Sequence, residues 1–256
     1  MSKFLEVAIK AAEASGRILV RHFDKGVKAI PKGGMHYVTP VDYESQDAIK
    51  KILKKSYPDY NIFSEEAEYE DRGSDYTWYL DPLDGTHNYL RNIPIFGVSI
   101  ALLHKNNVLL GVSYFPLQKR MYYAEKGKGA FMNGKRLHVS KFKPEHHYTV
   151  LVELKTESRK RLNKFLEVIE TEKNRVRALA CASYSLALLA EGNVDAFMPL
   201  DNNLYDVASG IILLEEAGGK ATDLYGRKWT TATKDYIFSN GLLHNRISSF
   251  VRKAKI

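Results

Sequence analysis

The sequence predicts a mixed α+β and α/β protein with helices and sheets in layers. Residues 149–252 alternate strand-like and helix-like segments, the pattern of a layered α/β unit. The first 57 residues instead carry apolar side chains at helical spacing, and three successive apolar strands follow at 96–103, 108–115 and 121–125. At 256 residues and 45% hydrophobic, the chain can bury a sizeable core.

The elements follow in order. Phe4, Val7, Ala8, Ala11, Ala12, Ile18 and Leu19 mark a first helix over 3–23, capped by Ser2. The Pro- and Gly-rich stretch 29–36 reads as a loop in which Gly33 and Gly34, beside Lys32, either approach a phosphate or simply connect. Thr39-Pro40-Val41-Asp42 opens a second helix to about Tyr57 as a capping box, with proline at the first helical position. That local role alone accounts for Asp42. Tyr60–Phe63 is a short strand ending in Ser64-Glu65-Glu66, and 66–75 reads as a surface loop.

Trp78-Tyr79-Leu80-Asp81-Pro82-Leu83-Asp84-Gly85-Thr86 is the densest chemical signal. Proline cannot donate to a sheet, so the strand should stop near Asp81. Asp81 and Asp84 then crowd one turn. Two like charges so close call for a positive partner, and an all-oxygen donor set favours Mg²⁺ over zinc or copper. The plainer reading makes Asp84 a helix cap.

Further along, Asn106-Asn107 is read as a tight turn. Residues 127–134 look like a phosphate loop, but Asn133-Gly134 between short apolar pairs signals a hairpin, and no helix follows. The polar stretch 141–147, with Pro144, suggests a boundary between an N-terminal domain, 1–143, and a C-terminal one, 144–256. The second half offers strands at 149–154, 175–179, 195–198, 220–223 and 236–239. Its helices fall at 158–170, 183–191, 206–216 and 242–252, with Gly218-Gly219 closing the third. Lys155, Arg159, Lys160, Arg161 and Lys164 read as a solvated helix face.

The formal net charge of +8 favours anionic partners without choosing among them. Neither aromatic interleaving nor a helix-turn-helix pattern supports nucleic-acid binding. No apolar run approaches the roughly 20 residues that span a bilayer. Cys181 is the single cysteine, which excludes an internal disulfide and a multi-cysteine zinc site. The N-terminus lacks a secretory apolar region, so a soluble cytoplasmic protein is expected.

Taken together, these motifs resemble the inositol monophosphatase family of lithium-sensitive, Mg²⁺-dependent phosphatases, within the fructose-1,6-bisphosphatase group. Residues 78–86 resemble its W-x-x-D-P-[IL]-D-G-T. Lys32 with Val38–Asp42 resembles its K…V-T-x-x-D, and Ser64-Glu65-Glu66 its G/S-E-E. Residues 127–134 resemble its G-x-G-A-F-x-N-G, 205–210 its W-D-x-A-x-G, and 216–219 its E-A-G-G.

The resemblance implies an α-β-α-β-α sugar-phosphatase fold, a homodimer, and a small phosphorylated metabolite as partner. It implies two or three Mg²⁺ ions held by Glu65, Asp81, the Leu83 carbonyl, Asp84 and Asp206. Two such ions can clamp the attacking and leaving oxygens of an in-line displacement. It makes Asp42, Glu65 and Thr86 catalytic, Asp42 and Thr86 taking the proton of the attacking water, which enlarges the capping role of Asp42. Asp84, Gly85, Thr86, Arg177, Ala182 and Asp201 would contact substrate. Pro199 stands where inositol-specific members carry a glutamate, so either inositol 1-phosphate or fructose 1,6-bisphosphate fits. His36 and His87 also depart from the family pattern. The alternatives are a 3′-phosphoadenosine 5′-phosphate nucleotidase and a non-catalytic binding protein with a vestigial site. Against the nucleotidase, only Phe197 and Tyr205 offer aromatic rings near 196–206.

Overall fold

The computed structural model describes residues 1–33, 36–143, 147–170 and 174–256. Gly34 and Met35 of the glycine-rich stretch, and Pro144 of the expected boundary, lie outside the described residues.

The chain begins with α1 (Lys3–His22), whose Ser2 cap accepts from the Leu5 N–H. The expected loop at 29–36 contains a short ribbon, β1 (Ile30–Gly33) and β2 (His36–Val38), paired antiparallel. Next come α2 (Pro40–Ser56), β3 (Asn61–Ser64) and β4 (Ala67–Glu70). The polar segment read as a loop thus contributes an edge strand, β4, pairing antiparallel with β3. Glu70 of this strand draws Lys50 and Lys54 of α2 to 2.8 Å. Strand β5 (Tyr76–Asp84) runs beyond Asp81, because a register irregularity between Asp81 and Asp84 absorbs Pro82.

Helix α3 (Thr86–Leu90) precedes the meander β6 (Gly97–His104), β7 (Asn107–Phe115), β8 (Arg120–Glu125), β9 (Gly129–Met132) and β10 (Lys135–Arg136). The turn between β6 and β7 sits one residue earlier than expected, at Lys105-Asn106, with Lys105 in the left-handed region. Asn133 and Gly134 both have positive φ and join β9 to β10, the hairpin their sequence announces.

The second half comprises β11 (Tyr148–Val152), α4 (Arg159–Ile169), β12 (Asn174–Arg177), α5 (Ala182–Ala190) and β13 (Ala196–Met198). It continues with α6 (Leu204–Glu216), β14 (Lys220–Asp223), β15 (Tyr236–Ser239) and α7 (His244–Ala254). Helix α6 starts two residues before Asp206 rather than at it.

Two sheets result. The larger has strand order β10-β9-β8-β7-β6-β5-β3-β4, and the smaller β12-β11-β13-β15-β14. Period-two alternation sorts their side chains into three cores. Val98, Ile100 and Leu102 of β6 pack with α1 and α2, whereas Ala101 and Leu103 face α5 and α6. On β13, Phe197 points to that same middle core, and Ala196 and Met198 join α4 and α7. The layers therefore run α1/α2, large sheet, α5/α6, small sheet, α4/α7, the expected α-β-α-β-α order. No helix among the described residues is long and apolar enough to cross a membrane.

One close approach sets the site. A Cβ on Gly111 of β7 would lie 2.5 Å from the Ser209 carbonyl of α6. The bare backbone lets α6 press onto the sheet. Ser209 then hydrogen-bonds Ser99 at 2.8 Å and Ser113 at 2.9 Å. This contact brings the N-terminus of α6, with Asp206, against the end of β5.

Candidate active site

The carboxylates converge from three chain segments. Asp81 comes from β5, and its Oδ1 accepts from the Leu83 N–H at 3.0 Å, an Asx turn that orients it. Glu65 follows β3, which runs parallel to β5, and its own N–H bonds the Leu80 carbonyl. Asp206 is the third residue of α6, where its Oδ2 accepts from the Asn203 N–H at 2.9 Å. One carboxylate oxygen from each of Glu65, Asp81 and Asp206 lies within 4.8 Å of the others.

Electrostatics mark the cluster as short of positive charge. Burial, then repulsion from Glu65, Asp84 and Asp206, pushes Asp81 well above the carboxylate range. Burial raises Asp206 to about 7, with Glu65 and Asp84 adding to the rise against the attraction of Lys155. Burial also raises Glu65, against the pull of Lys32. Lys32 reaches in from the β1–β2 ribbon, 3.2 Å from Glu65 and 2.9 Å from Glu66. Burial works against its charge, yet the two glutamates outweigh burial and raise it. Three crowded, largely buried carboxylates with only oxygens to offer fit a hard divalent cation.

Asp84 is placed differently. Its carboxylate accepts from the Ser183 N–H at 2.6 Å and the Ala182 N–H at 3.3 Å, across the start of α5. The Cys181 thiol donates to it at 3.1 Å, and burial followed by the Asp84 charge drives that thiol up and keeps it protonated. Asp84 therefore borders the close trio rather than joining it, and the capping role suggested for it serves α5, not α3.

Asp42 both caps its helix and meets Thr86. Its Oδ2 accepts from the Thr39 N–H at 2.9 Å and the Thr39 hydroxyl at 2.6 Å, completing the capping box. Its Oδ1 faces the Thr86 hydroxyl at 3.3 Å. Burial holds Asp42 up at about 6. The Thr86 hydroxyl also reaches the Leu83 carbonyl, at 2.9 Å. Gly85 sits at φ 89°, and a Cβ there would come 2.8 Å from the Ile95 carbonyl, so the turn between Asp84 and Thr86 demands glycine.

Glu65, Asp81, Leu83, Asp84, Thr86 and Asp206 line a cavity of about 440 Å³, within the range of small-ligand sites, and Asp42 meets it only through Thr86. Ala182 reaches it, but Arg177 and Asp201 do not. Arg177 lies exposed on edge strand β12, and Asp201 is turned outward, its N–H bonding Asp235. The cavity instead takes Lys155 and Arg159 from the stretch read as a solvated face. Arg161 of that stretch does stay outside, forked onto Asp235. Glu153 and Asn202 also line the cavity and escaped notice. The available signal was the position of Glu153 at the carboxyl end of an apolar strand, the place where Asp81 stands on β5.

The model of the inositol monophosphatase family matches residues 1–255. A fructose-1,6-bisphosphatase/inositol-1-monophosphatase of Aquifex aeolicus is 34% identical, over 99% of this chain and 97% of that protein. A Nus factor SuhB of Xylella fastidiosa is 33% identical over 87% of this chain and 82% of its own length. Among solved structures, an IMPase of Thermotoga maritima superposes with a TM-score of 0.92 at 33% identity, covering 99% of this chain and 98% of that one. End-to-end agreement in sequence and in fold, with the motif carboxylates meeting at one cavity, places this chain in the inositol monophosphatase family.

Proposed function

We propose that the chain is a Mg²⁺-dependent phosphomonoesterase acting on a small sugar or polyol phosphate, with inositol 1-phosphate and fructose 1,6-bisphosphate as the leading substrates. One observation carries this reading: the Glu65–Asp81–Asp206 cluster and the Thr86 hydroxyl, which Asp42 backs from the buried side, line the same cavity. Glu65, Asp81, Asp206 and the Leu83 carbonyl would hold the cations, with Asp84 at their border. When bound, the cations neutralise phosphoryl oxygens and acidify water.

The remaining chemistry belongs to the chain. The Thr86 oxygen accepts a proton from the attacking water and passes its own to Asp42 Oδ1. A carboxyl near 6 suits a base working near neutrality. The Gly85 and Thr86 N–H groups steady the phosphate. Glu65 orients the water, and the Ala182 N–H helps to hold Asp84 in place. The buried, protonated Cys181 has no nucleophilic role. Residues 1–143 would form one domain carrying most cation ligands, and 144–256 a second that supplies Asp206 and closes the cavity. The family likeness also supports a homodimer, a cytoplasmic setting and lithium sensitivity.

The test is phosphate release from inositol 1-phosphate, fructose 1,6-bisphosphate, glucose 1-phosphate and 3′-phosphoadenosine 5′-phosphate, with and without Mg²⁺. Mg²⁺-dependent release from the first two is expected. Preference for the last would favour the nucleotidase. Release from none, with folded protein, would favour a binding role, the alternative that the Nus factor relative and the +8 charge keep in view.

A further inference from the structure

The cavity has a second polar wall that the proposed chemistry does not use. Glu153 follows β11, and Asn202 lies between β13 and α6. Both line the cavity. Glu153 is 6% exposed and Asn202 1%. Among the described residues, Glu153 Oε1 finds no hydrogen-bond partner, and neither does either polar atom of the Asn202 amide. Buried polar groups in folded proteins are almost always paired, so three such atoms on two residues that line one pocket point to a ligand that the side chains turn to meet.

We propose that Glu153 and Asn202 form a hydroxyl-reading subsite that binds the polyol part of the substrate while its phosphate lies beside Asp81 and Thr86. The inference rests on the phosphatase reading and adds which side chains read the hydroxyls of the substrate. A carboxylate only accepts, so Glu153 calls for hydroxyl donors. An amide donates and accepts, so Asn202 can bond a neighbouring hydroxyl either way. Together they suit adjacent hydroxyls on a ring or sugar carbon. Glu153 is not one of the three carboxylates close enough to share a cation. Lys155, two residues on, ties this wall to the rest of the site, with Nζ 3.0 Å from the Asp201 carbonyl and 3.9 Å from Asp206 Oδ2. An ester without hydroxyls would leave these groups buried and unpaired, a mismatch that binding sites discriminate strongly against.

The experiment compares inositol 1-phosphate with phenyl phosphate, which lacks hydroxyls, in wild-type protein, Glu153→Gln and Asn202→Leu. Each variant nearly preserves side-chain shape. The expected result is a fall in kcat/KM for inositol 1-phosphate of about 10- to 100-fold, carried mainly by KM and at least about 10-fold larger than any fall for phenyl phosphate. The Mg²⁺ concentration for half-activation should stay the same. Equal losses on both esters, or a shifted Mg²⁺ requirement, would overturn the subsite in favour of a structural or cation-holding role. No loss on either ester would show that the two side chains do not meet substrate. Wild-type protein that hydrolyses neither ester would overturn the phosphatase reading and the subsite with it, and that failure is distinct because it shows before any mutation.

Discussion

Asp42, Asp81 and Asp206 each engage one carboxylate oxygen with a backbone N–H two or three residues away, whereas Glu153 and Asn202, which line the same cavity as Asp81 and Asp206, carry polar atoms that bond nothing among the described residues. On the first wall, short turns fix where each acid points, and its second oxygen is left for chemistry. On the second wall the backbone holds the residues, Asn202 through its N–H on the Lys234 carbonyl at 2.8 Å, while three side-chain polar atoms carry no such tie. The first arrangement is preorganised for charge. The second is shaped for a ligand that supplies its own hydrogen bonds.

The sharpest way to break this contrast is to remove charge from the first wall. Asp81→Asn should lower kcat/KM by about 10³-fold or more on every phosphate ester, since several kcal/mol of cation-borne stabilisation is lost. Without Mg²⁺ the same variant should melt no lower than wild type, because it relieves repulsion among buried carboxylates. A circular dichroism melt beside the assay checks both. Retained activity would remove Asp81 from the account.

Asp42→Asn comes next. Loss of the base should reduce kcat by about 10²-fold or more. The amide oxygen can still accept from the Thr39 N–H, so stability should fall by about 1 kcal/mol at most. A large loss of stability with unchanged kcat would return Asp42 to capping alone.

A third consequence is the pH dependence of the metal-free protein. Asp206, at about 7, and Glu153, raised to about 8 chiefly by burial, lie above their unfolded values. The folded state therefore holds more protons than the unfolded state as pH rises through that range, and stability falls. His244 acts in the opposite sense, because burial lowers it to about 4 and its contribution is lost only as pH falls below about 6.5. Between pH 6.5 and 8 the acids dominate. The metal-free Tm should drop by roughly a few degrees, at about 2–4 °C per kcal/mol. Mg²⁺ should reverse the drop most at pH 8. A Tm that rises with pH in the absence of metal would contradict the burial of these acids.

The smallest effect marks the limit of the comparison. Arg161 shares α4 with Arg159 but points away from both walls, forked onto Asp235. Arg161→Met should cost less than about 1 kcal/mol and leave turnover unchanged, as measured by melting and assay.

The same contrast explains what could be read from sequence. The acids of the first wall are written into local turn grammar. Thr39 through Asp42 is a capping box, and Pro82 and Gly85 punctuate the turn that carries Asp81 and Asp84. Alternating strand-like and helix-like segments gave only a layered α/β half, and the full α-β-α-β-α order came from the family resemblance. Three strands were missed because what holds them lies outside their own segments. The β4 edge strand is polar and pairs with β3, and its Glu70 is drawn to lysines on α2. The β1–β2 ribbon is bound to the body through Lys32 and the glutamates after β3. Lys155 and Glu153 were missed for a like reason. Only the convergence of β11 with the start of α6 makes a wall of them, and locally just the place of Glu153 at the carboxyl end of an apolar strand hints at it.

The central claim is that the Glu65–Asp81–Asp206 cluster would hold a divalent cation, with Mg²⁺ as the ion proposed. Calorimetric titration of the protein with Mg²⁺ at pH 7, in two buffers of different ionisation enthalpy, tests it most directly. The account predicts saturable binding with net proton release, because crowded carboxylates whose proton affinity burial has raised must lose their protons to hold the ion. Binding without proton release, or no binding to the folded protein, would contradict it.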